Sequence, residues 1–142
     1  MFAALFVLLY VAHMLSDYPF QTDRQASRKA GWTEGTTDPH PGRHHHGWGP
    51  NLVHAGTHVL VSAVALTVGV LVLDLSLSVP ATVLALLWIG STHSVIDRRH
   101  LVLRWMERRQ AEFVKHGGAA HIDQAAHITA LAVAALAVTG LS

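Results

Sequence analysis

The chain has 142 residues, of which 51% are hydrophobic and 13% are charged, and its net charge at pH 7 is +1. Ordinary soluble domains contain about 25% charged residues, so this composition indicates a membrane protein, and its length suits a single domain. The absence of cysteine excludes disulfides and thiolate metal sites. Any bound metal must therefore use imidazole, carboxylate, amide or water ligands.

Four apolar segments divide the chain, each near the roughly 20 residues that a bilayer span requires. We predict an all-α, polytopic membrane protein with four transmembrane helices in an antiparallel bundle, at about residues 1–20, 52–73, 77–96 and 119–141. No Lys or Arg precedes Arg24, so the first segment lacks the basic start of a secretory signal peptide, and we expect a retained helix. A soluble bundle is disfavoured because runs such as 59–73 have no wide polar face.

All ten Lys and Arg residues lie in two loops, at about residues 23–50 and 98–118. Cytoplasmic loops of membrane proteins are enriched in these residues. The expected topology therefore places both basic loops in the cytoplasm and both termini outside it.

The two loops differ in composition. The first is rich in Gly, Pro, Thr and His, and its run His44–His46 suits either metal binding or a solvated tract, while Trp32 and Trp48 are expected at the headgroup level. The second is expected to form an amphipathic extension after helix three that ends at 117–118. We expect it to bind the membrane surface rather than nucleic acid. Its apolar stripe consists of Leu101, Val102, Trp105, Met106 and Phe113.

Metal-capable side chains recur in pairs spaced i, i+4, which places both members on one helix face. The pairs are His13 with Asp17, His54 with His58, His93 with Asp97, and Asp123 with His127. In the expected topology, all four pairs lie at the cytoplasmic ends of their helices. A single pair is more often structural, but several buried Asp and His residues are costly unless a cation compensates them. We therefore predict one metal site shared by all four helices.

The eight paired residues are all candidate ligands, which exceeds the three protein ligands of a typical catalytic zinc site. Either two ions bind, or some residues orient the ligands through hydrogen bonds, and His54 and His58 are alternatives for one ligand position. Zinc is the expected ion, with iron or manganese as alternatives. The candidate catalytic carboxylates are Asp17, Asp97 and Asp123, and the candidate substrate-binding residues are Gln21, Gln124, Arg98 and Arg99. The two arginines also suit a simple role as positive-inside anchors.

The ordered motifs resemble those of a family of bacterial membrane proteins, the domain of unknown function 3307 family. They are the sequence from His13 through Asp17 to Gln21, the later His54 and His58, the element His93-Ser-Val-Ile-Asp97, and Asp123-Gln-Ala-Ala-His127. The resemblance covers most of the chain except the long first loop, and it implies a multi-pass protein of the bacterial cytoplasmic membrane. The family often has a lysine soon after its H-x-x-x-D element, whereas this chain has Arg98-Arg99-His100. A looser similarity to DNA-damage-inducible, membrane-bound metal-dependent hydrolases implies metal-dependent hydrolysis.

These observations favour a membrane hydrolase that acts at the cytoplasmic face on an ester or phosphoester of a lipid or another amphiphile. One alternative is a di-iron oxidoreductase of the desaturase or hydroxylase type, whose histidine clusters also lie on the cytoplasmic side. Another is a metal or proton transporter or a metal sensor. Polar side chains are few in the outer halves of spans two to four, which counts against a transport path. Small residues along span four would permit close packing against a further copy of the chain.

Overall fold

The computed structural model describes residues 1–142, apart from the side chain of Leu101, so this member of the predicted apolar stripe lies outside the described residues. The chain is mostly helical, as predicted from its composition. The helices are α1 (Phe2–Asp17), α2 (Asp23–Arg28), α3 (Trp48–Leu73), α4 (Val79–Ile96), α5 (His100–Glu107), α6 (Ala111–Phe113) and α7 (Ala119–Leu141). A short antiparallel hairpin of β1 (Trp32–Thr33) and β2 (His44–His45) interrupts the first loop.

Three helical segments are long and apolar enough to cross a membrane: Trp48–Leu73, Val79–Ile96 and Ala111–Leu141. Helix α1 is equally apolar but shorter, with 16 residues. It ends three residues before the predicted boundary of the first span, because Pro19 has no N–H to continue the helical hydrogen bonds, and the Phe20 N–H donates to the Leu15 oxygen instead. Helix α3 begins four residues earlier than predicted, directly after Gly47, whose positive φ of 73° turns the chain out of the hairpin.

The four long helices α1, α3, α4 and α7 pack around a common core, each against two of the others. Side chains from all four helices fill it: Leu5, Leu9, Leu66, Ala85, Ile89, Leu131, Ala134, Ala135 and Val138. Large apolar side chains also cover the outside, including Leu71 and Val79, which are about three-quarters exposed. So much exposed apolar surface is expected where helices contact lipid rather than water.

The first basic loop contains more structure than its composition indicated, whereas the second contains a shorter amphipathic helix than predicted. Thr22 caps α2 in a capping box with Gln25, an arrangement that satisfies two free N–H groups at the helix start. The expected amphipathic extension stops at Glu107, and after a turn the chain re-enters helix at Ala111. It continues into α7 through a π-helical segment, Val114–Gly118, with a kink at Gly117, where φ is 88°.

Candidate metal centre

The four i, i+4 pairs meet at one end of the helix packing. They come from the end of α1, from the end of α4 and the Asp97 that follows it, and from the second and third turns of α3 and α7. The five histidines of this group are almost fully buried, as is Asp97: His13, His54, His58, His93 and His127. Their rings lie in mutual contact, with the His58 and His93 centroids 3.5 Å apart. We call these residues, together with Asp17, the His/Asp cluster.

A first metal-capable group consists of Asp17, His54, His58 and His93. The Oδ1 atom of Asp17 lies 3.1 Å from His54 Nε2 and 3.2 Å from His58 Nε2, and these two nitrogens are 3.3 Å apart. His93 Nε2 lies 3.9 Å from the same carboxylate oxygen. Ligands bound at 2.0–2.1 Å to a tetrahedral zinc ion are roughly 3.3 Å apart. The spacing of the four donor atoms therefore fits an ion at their centre, and both His54 and His58 belong to the group.

A second metal-capable group consists of His93, Asp97 and His127, so the two groups share His93. His93 Nε2 and Asp97 Oδ2 are 3.2 Å apart but are not aligned for a hydrogen bond. Together with His127 Nε2, they are buried polar atoms that lack a hydrogen-bond partner among the described residues. Such atoms are rare in native proteins. Three of them lie close enough together that they could hold a cation.

The tautomer of His127 agrees with a ligand role. Its Nδ1 lies 2.9 Å from the backbone oxygen of Asp123, so Nδ1–H donates to this carbonyl. The lone pair of Nε2 then points into the cluster. Metal-bound histidines commonly donate their other ring N–H in this way, which holds the ring orientation.

Two of the predicted ligands lie outside both groups. His13 Nε2 is 3.2 Å from Asp17 Oδ2 and 3.2 Å from Gln124 Oε1. It therefore contacts the outer oxygen of the carboxylate, Oδ2, rather than Oδ1, which faces His54 and His58. Asp123 is about one-quarter exposed, and its Oδ2 lies 3.6 Å from His127 Nδ1. These positions suit residues that orient the ligands or move protons beside them.

Both glutamines predicted at this end contact the cluster. The Gln21 amide nitrogen lies 2.6 Å from His54 Nε2. Gln124 donates from its amide nitrogen to Asp17 Oδ2 at 3.2 Å. Gln124 thus links the outer oxygen of Asp17 to His13, which leaves Oδ1 facing the other histidines.

Other residues that the pair spacing did not identify lie against the cluster. Lys29 is buried, and its Nζ lies 2.9 Å from Asp97 Oδ1. Asn51 donates to the backbone oxygen of Ser94 at 3.1 Å and accepts from the Ser94 hydroxyl, which ties α3 to α4 beside His93. Asn51 precedes His54 by three residues, so its helical face was readable from spacing. No sequence signal directs Lys29 to Asp97.

The two neighbouring arginines have different surroundings. The Arg98 guanidinium lies 4.4 Å from the centre of the Trp48 ring and donates to the backbone oxygens of Lys29 and His46. These contacts hold the first loop against the end of α4, and they place the Arg98 guanidinium over the half-exposed Trp48 ring. Arg99 is exposed and faces a cavity beside the cluster.

The triple-histidine run forms part of the hairpin. His45 stacks on Trp32 with ring centroids 4.1 Å apart, and its Nε2 lies 2.7 Å from Glu34 Oε1. The hydrogen bond from His45 lowers the pKa of Glu34 below its usual value. His44 Nδ1 lies 3.1 Å from the Thr33 hydroxyl. Among the described residues, neither metal-capable group includes a member of this run.

The cluster opens into a cavity of about 520 Å³. Its polar lining comprises Asp17, Tyr18, Gln21, Lys29, Arg99, Asp123 and Gln124, and its other wall comprises Val102, Leu103, Gly117, Ala119 and Ala120. A small molecule in this cavity would therefore reach the edge of the cluster.

Comparison with known proteins identifies one family. A family model described as "Protein of unknown function (DUF3307)" matches residues 43–142. The matched part includes α3, α4 and α7 with their histidines and carboxylates, and it begins after the α1 motif of His13 and Asp17. No curated protein and no solved structure matches the chain.

Proposed function

We propose that this chain, which belongs to the DUF3307 family of proteins of unknown function, is an integral membrane metal-dependent hydrolase. It acts at the cytoplasmic face of the bacterial inner membrane on an ester or phosphoester of a lipid or another amphiphile. Helix α1 spans the membrane together with the three longer helical segments, in an antiparallel bundle of four. Both termini lie outside the cytoplasm. The apolar exterior and the two basic loops support this arrangement.

One observation carries the metal-dependent part of this proposal. The buried Nε2 atoms of His93 and His127 and the Oδ2 atom of Asp97 have no hydrogen-bond partner among the described residues, and they lie beside the first metal-capable group. Nitrogen and carboxylate donors without sulfur suit zinc best and also suit iron or manganese. A divalent ion held here would supply activated water and stabilise negative charge that develops on the substrate.

The protein's own side chains have distinct roles in this proposal. Asp17 Oδ1 and Asp97 Oδ2 would hold the cation. Gln124 binds Asp17 Oδ2 and Lys29 binds Asp97 Oδ1, which keeps both carboxylates oriented. Asp123 lies at the boundary between the cluster and the cavity, and it is the carboxylate placed to accept a proton from an attacking water.

A di-iron oxidoreductase is the second candidate, because two metal-capable groups lie side by side in the cluster. His93 reaches both groups through the same Nε2 atom, so it would bind the ion of only one of them. Helical bundles build dinuclear centres from carboxylates and histidines on four facing helices. The identity of the bound metal separates the two functions.

The test is metal analysis of detergent-purified protein prepared without chelator, together with hydrolysis assays on soluble and long-chain chromogenic esters and phosphoesters. Stoichiometric zinc or manganese and hydrolysis that EDTA abolishes would support the hydrolase. Two irons with an oxo-bridge absorption band would instead support the oxidoreductase. Wild-type protein with no tightly held metal would refute both.

A further inference from the structure

We infer that the cavity beside the His/Asp cluster binds a single-chain amphiphile whose phosphate head group lies between Lys29 and Arg99. This inference rests on the proposed function, because the head group would be presented to the same cluster. It narrows the substrate class from any ester-bearing amphiphile to an anionic one.

The size and lining of the cavity suit such a molecule. Its volume of about 520 Å³ lies within the roughly 300–1,000 Å³ typical of small-molecule sites. Asp17, Gln124 and Asp123 form the wall towards the cluster, and Val102 and Leu103 of α5 line the apolar part. A ligand with a polar head and an apolar chain would match both surfaces.

Two cationic side chains line the cavity where we place the head group. The charge of Lys29 is compensated by Asp97, 2.9 Å away, so the positive charge available to the head group comes mainly from Arg99. Arg99 lines the cavity as well, and no ion pair of its guanidinium is found within the described residues. Arginine binds phosphate through two parallel hydrogen bonds, and lysine adds a point charge.

The backbone at Arg99 supports a specific placement of this side chain. Its φ is 56°, a value that is unfavourable for residues other than glycine and that often accompanies functional sites. This conformation forms the sharp turn between α4 and α5, and the turn separates the neighbouring arginines. Arg98 binds Trp48 and loop carbonyls, whereas Arg99 faces the cavity.

Direct binding to dodecyl phosphate tests the inference without an activity assay. Protein in dodecyl maltoside is titrated calorimetrically with dodecyl phosphate and, separately, with inorganic phosphate. The detergent has the same chain and a neutral head, so binding above it reports on the phosphate. The variants are Arg99→Gln, the conservative Arg99→Lys, and the control Arg109→Gln, which removes the same charge from an exposed residue outside the cavity.

We expect Arg99→Gln to weaken dodecyl phosphate binding by at least about tenfold, the usual effect of losing a charge-assisted hydrogen bond. Arg99→Lys should recover part of the loss, and Arg109→Gln should leave the affinity within about twofold of wild type. The inference would be overturned if both glutamine variants weakened binding equally, or if neither variant weakened it. Inorganic phosphate that binds as tightly as dodecyl phosphate would overturn the amphiphile class and leave only an anion site.

The same titrations on zinc-loaded and EDTA-treated protein separate this inference from the proposed function. Protein that binds dodecyl phosphate through Arg99 but holds no metal would retain the cavity assignment and refute the metal enzyme. Protein that holds metal and hydrolyses esters but does not bind dodecyl phosphate would support the metal enzyme and refute the cavity assignment.

Discussion

Lys29 Nζ lies 2.9 Å from Asp97 Oδ1, so a residue of the first loop binds a carboxylate at the end of α4. Both side chains are buried. The contact closes one side of the His/Asp cluster and orients Asp97 so that Oδ2 faces His93.

Replacing Lys29 with Met should lower the free energy of unfolding of the metal-free protein by about 3 kcal/mol, because it leaves a buried carboxylate without its cation. Thermal or denaturant unfolding in detergent measures the change. The double variant Lys29→Met, Asp97→Asn should be more stable than the single variant, since it removes the uncompensated charge. If the double variant is the less stable of the two, the pair does not stabilise the fold in this way.

Alanine substitution of single histidines should distinguish the two metal-capable groups. His58→Ala removes a ligand from the first group only, His127→Ala from the second only, and His93→Ala from both. We expect His93→Ala to cause the largest loss of bound metal in elemental analysis. His121→Ala, which alters an exposed histidine of α7 outside both groups, is the control. A His93→Ala protein with wild-type metal content would contradict the shared ligand.

Gln124→Leu should weaken metal binding by about 10- to 100-fold, the range found when a residue that orients a ligand is lost. Leucine is similar in size but cannot bridge Asp17 Oδ2 and His13. Competition with a fluorescent chelator measures the affinity. Gln110→Leu, at an exposed position in the turn before α6, should not change it. If both variants bind metal as tightly as wild type, Gln124 does not support metal binding.

Arg98→Ala should loosen the first loop, because Arg98 holds this loop through Trp48 and two backbone oxygens. Limited proteolysis should then cut within residues 23–47 several times faster than in wild type. Arg99→Ala removes the neighbouring charge without these contacts and should leave the cleavage rate unchanged. Similar rates for the two variants would argue against a structural role that is specific to Arg98.

Fusion reporters test the membrane topology. Alkaline phosphatase fused after Ser142 should be active, since the C-terminus is proposed to lie outside the cytoplasm. Green fluorescent protein inserted after Gln110 should fluoresce, because the second basic loop is proposed to be cytoplasmic. If the phosphatase fusion at Ser142 is inactive and a fluorescent protein fused there fluoresces, either the orientation is reversed or one span is absent.

The helical class, the candidate spans and the metal-capable side chains were predictable from the sequence. Hydrophobic length is a local property, and the i, i+4 interval places His93 with Asp97 on one helix face without knowledge of the fold. The family resemblance was also predictable and is confirmed for residues 43–142. Helix boundaries were less accurate where a single residue decides them, as at Pro19 and Gly47.

Only the tertiary structure decided which of these side chains meet. Contacts between Lys29 and Asp97, or between Gln124 and His13, join residues far apart in the chain, and their geometry depends on how helices and loops pack rather than on local spacing. For the same reason, packing separates the adjacent arginines, with Arg98 in the loop contact and Arg99 at the cavity. The sequence by itself determined which chemical groups this end of the protein carries, while the packing of four helices and two loops determined which of them form the candidate site.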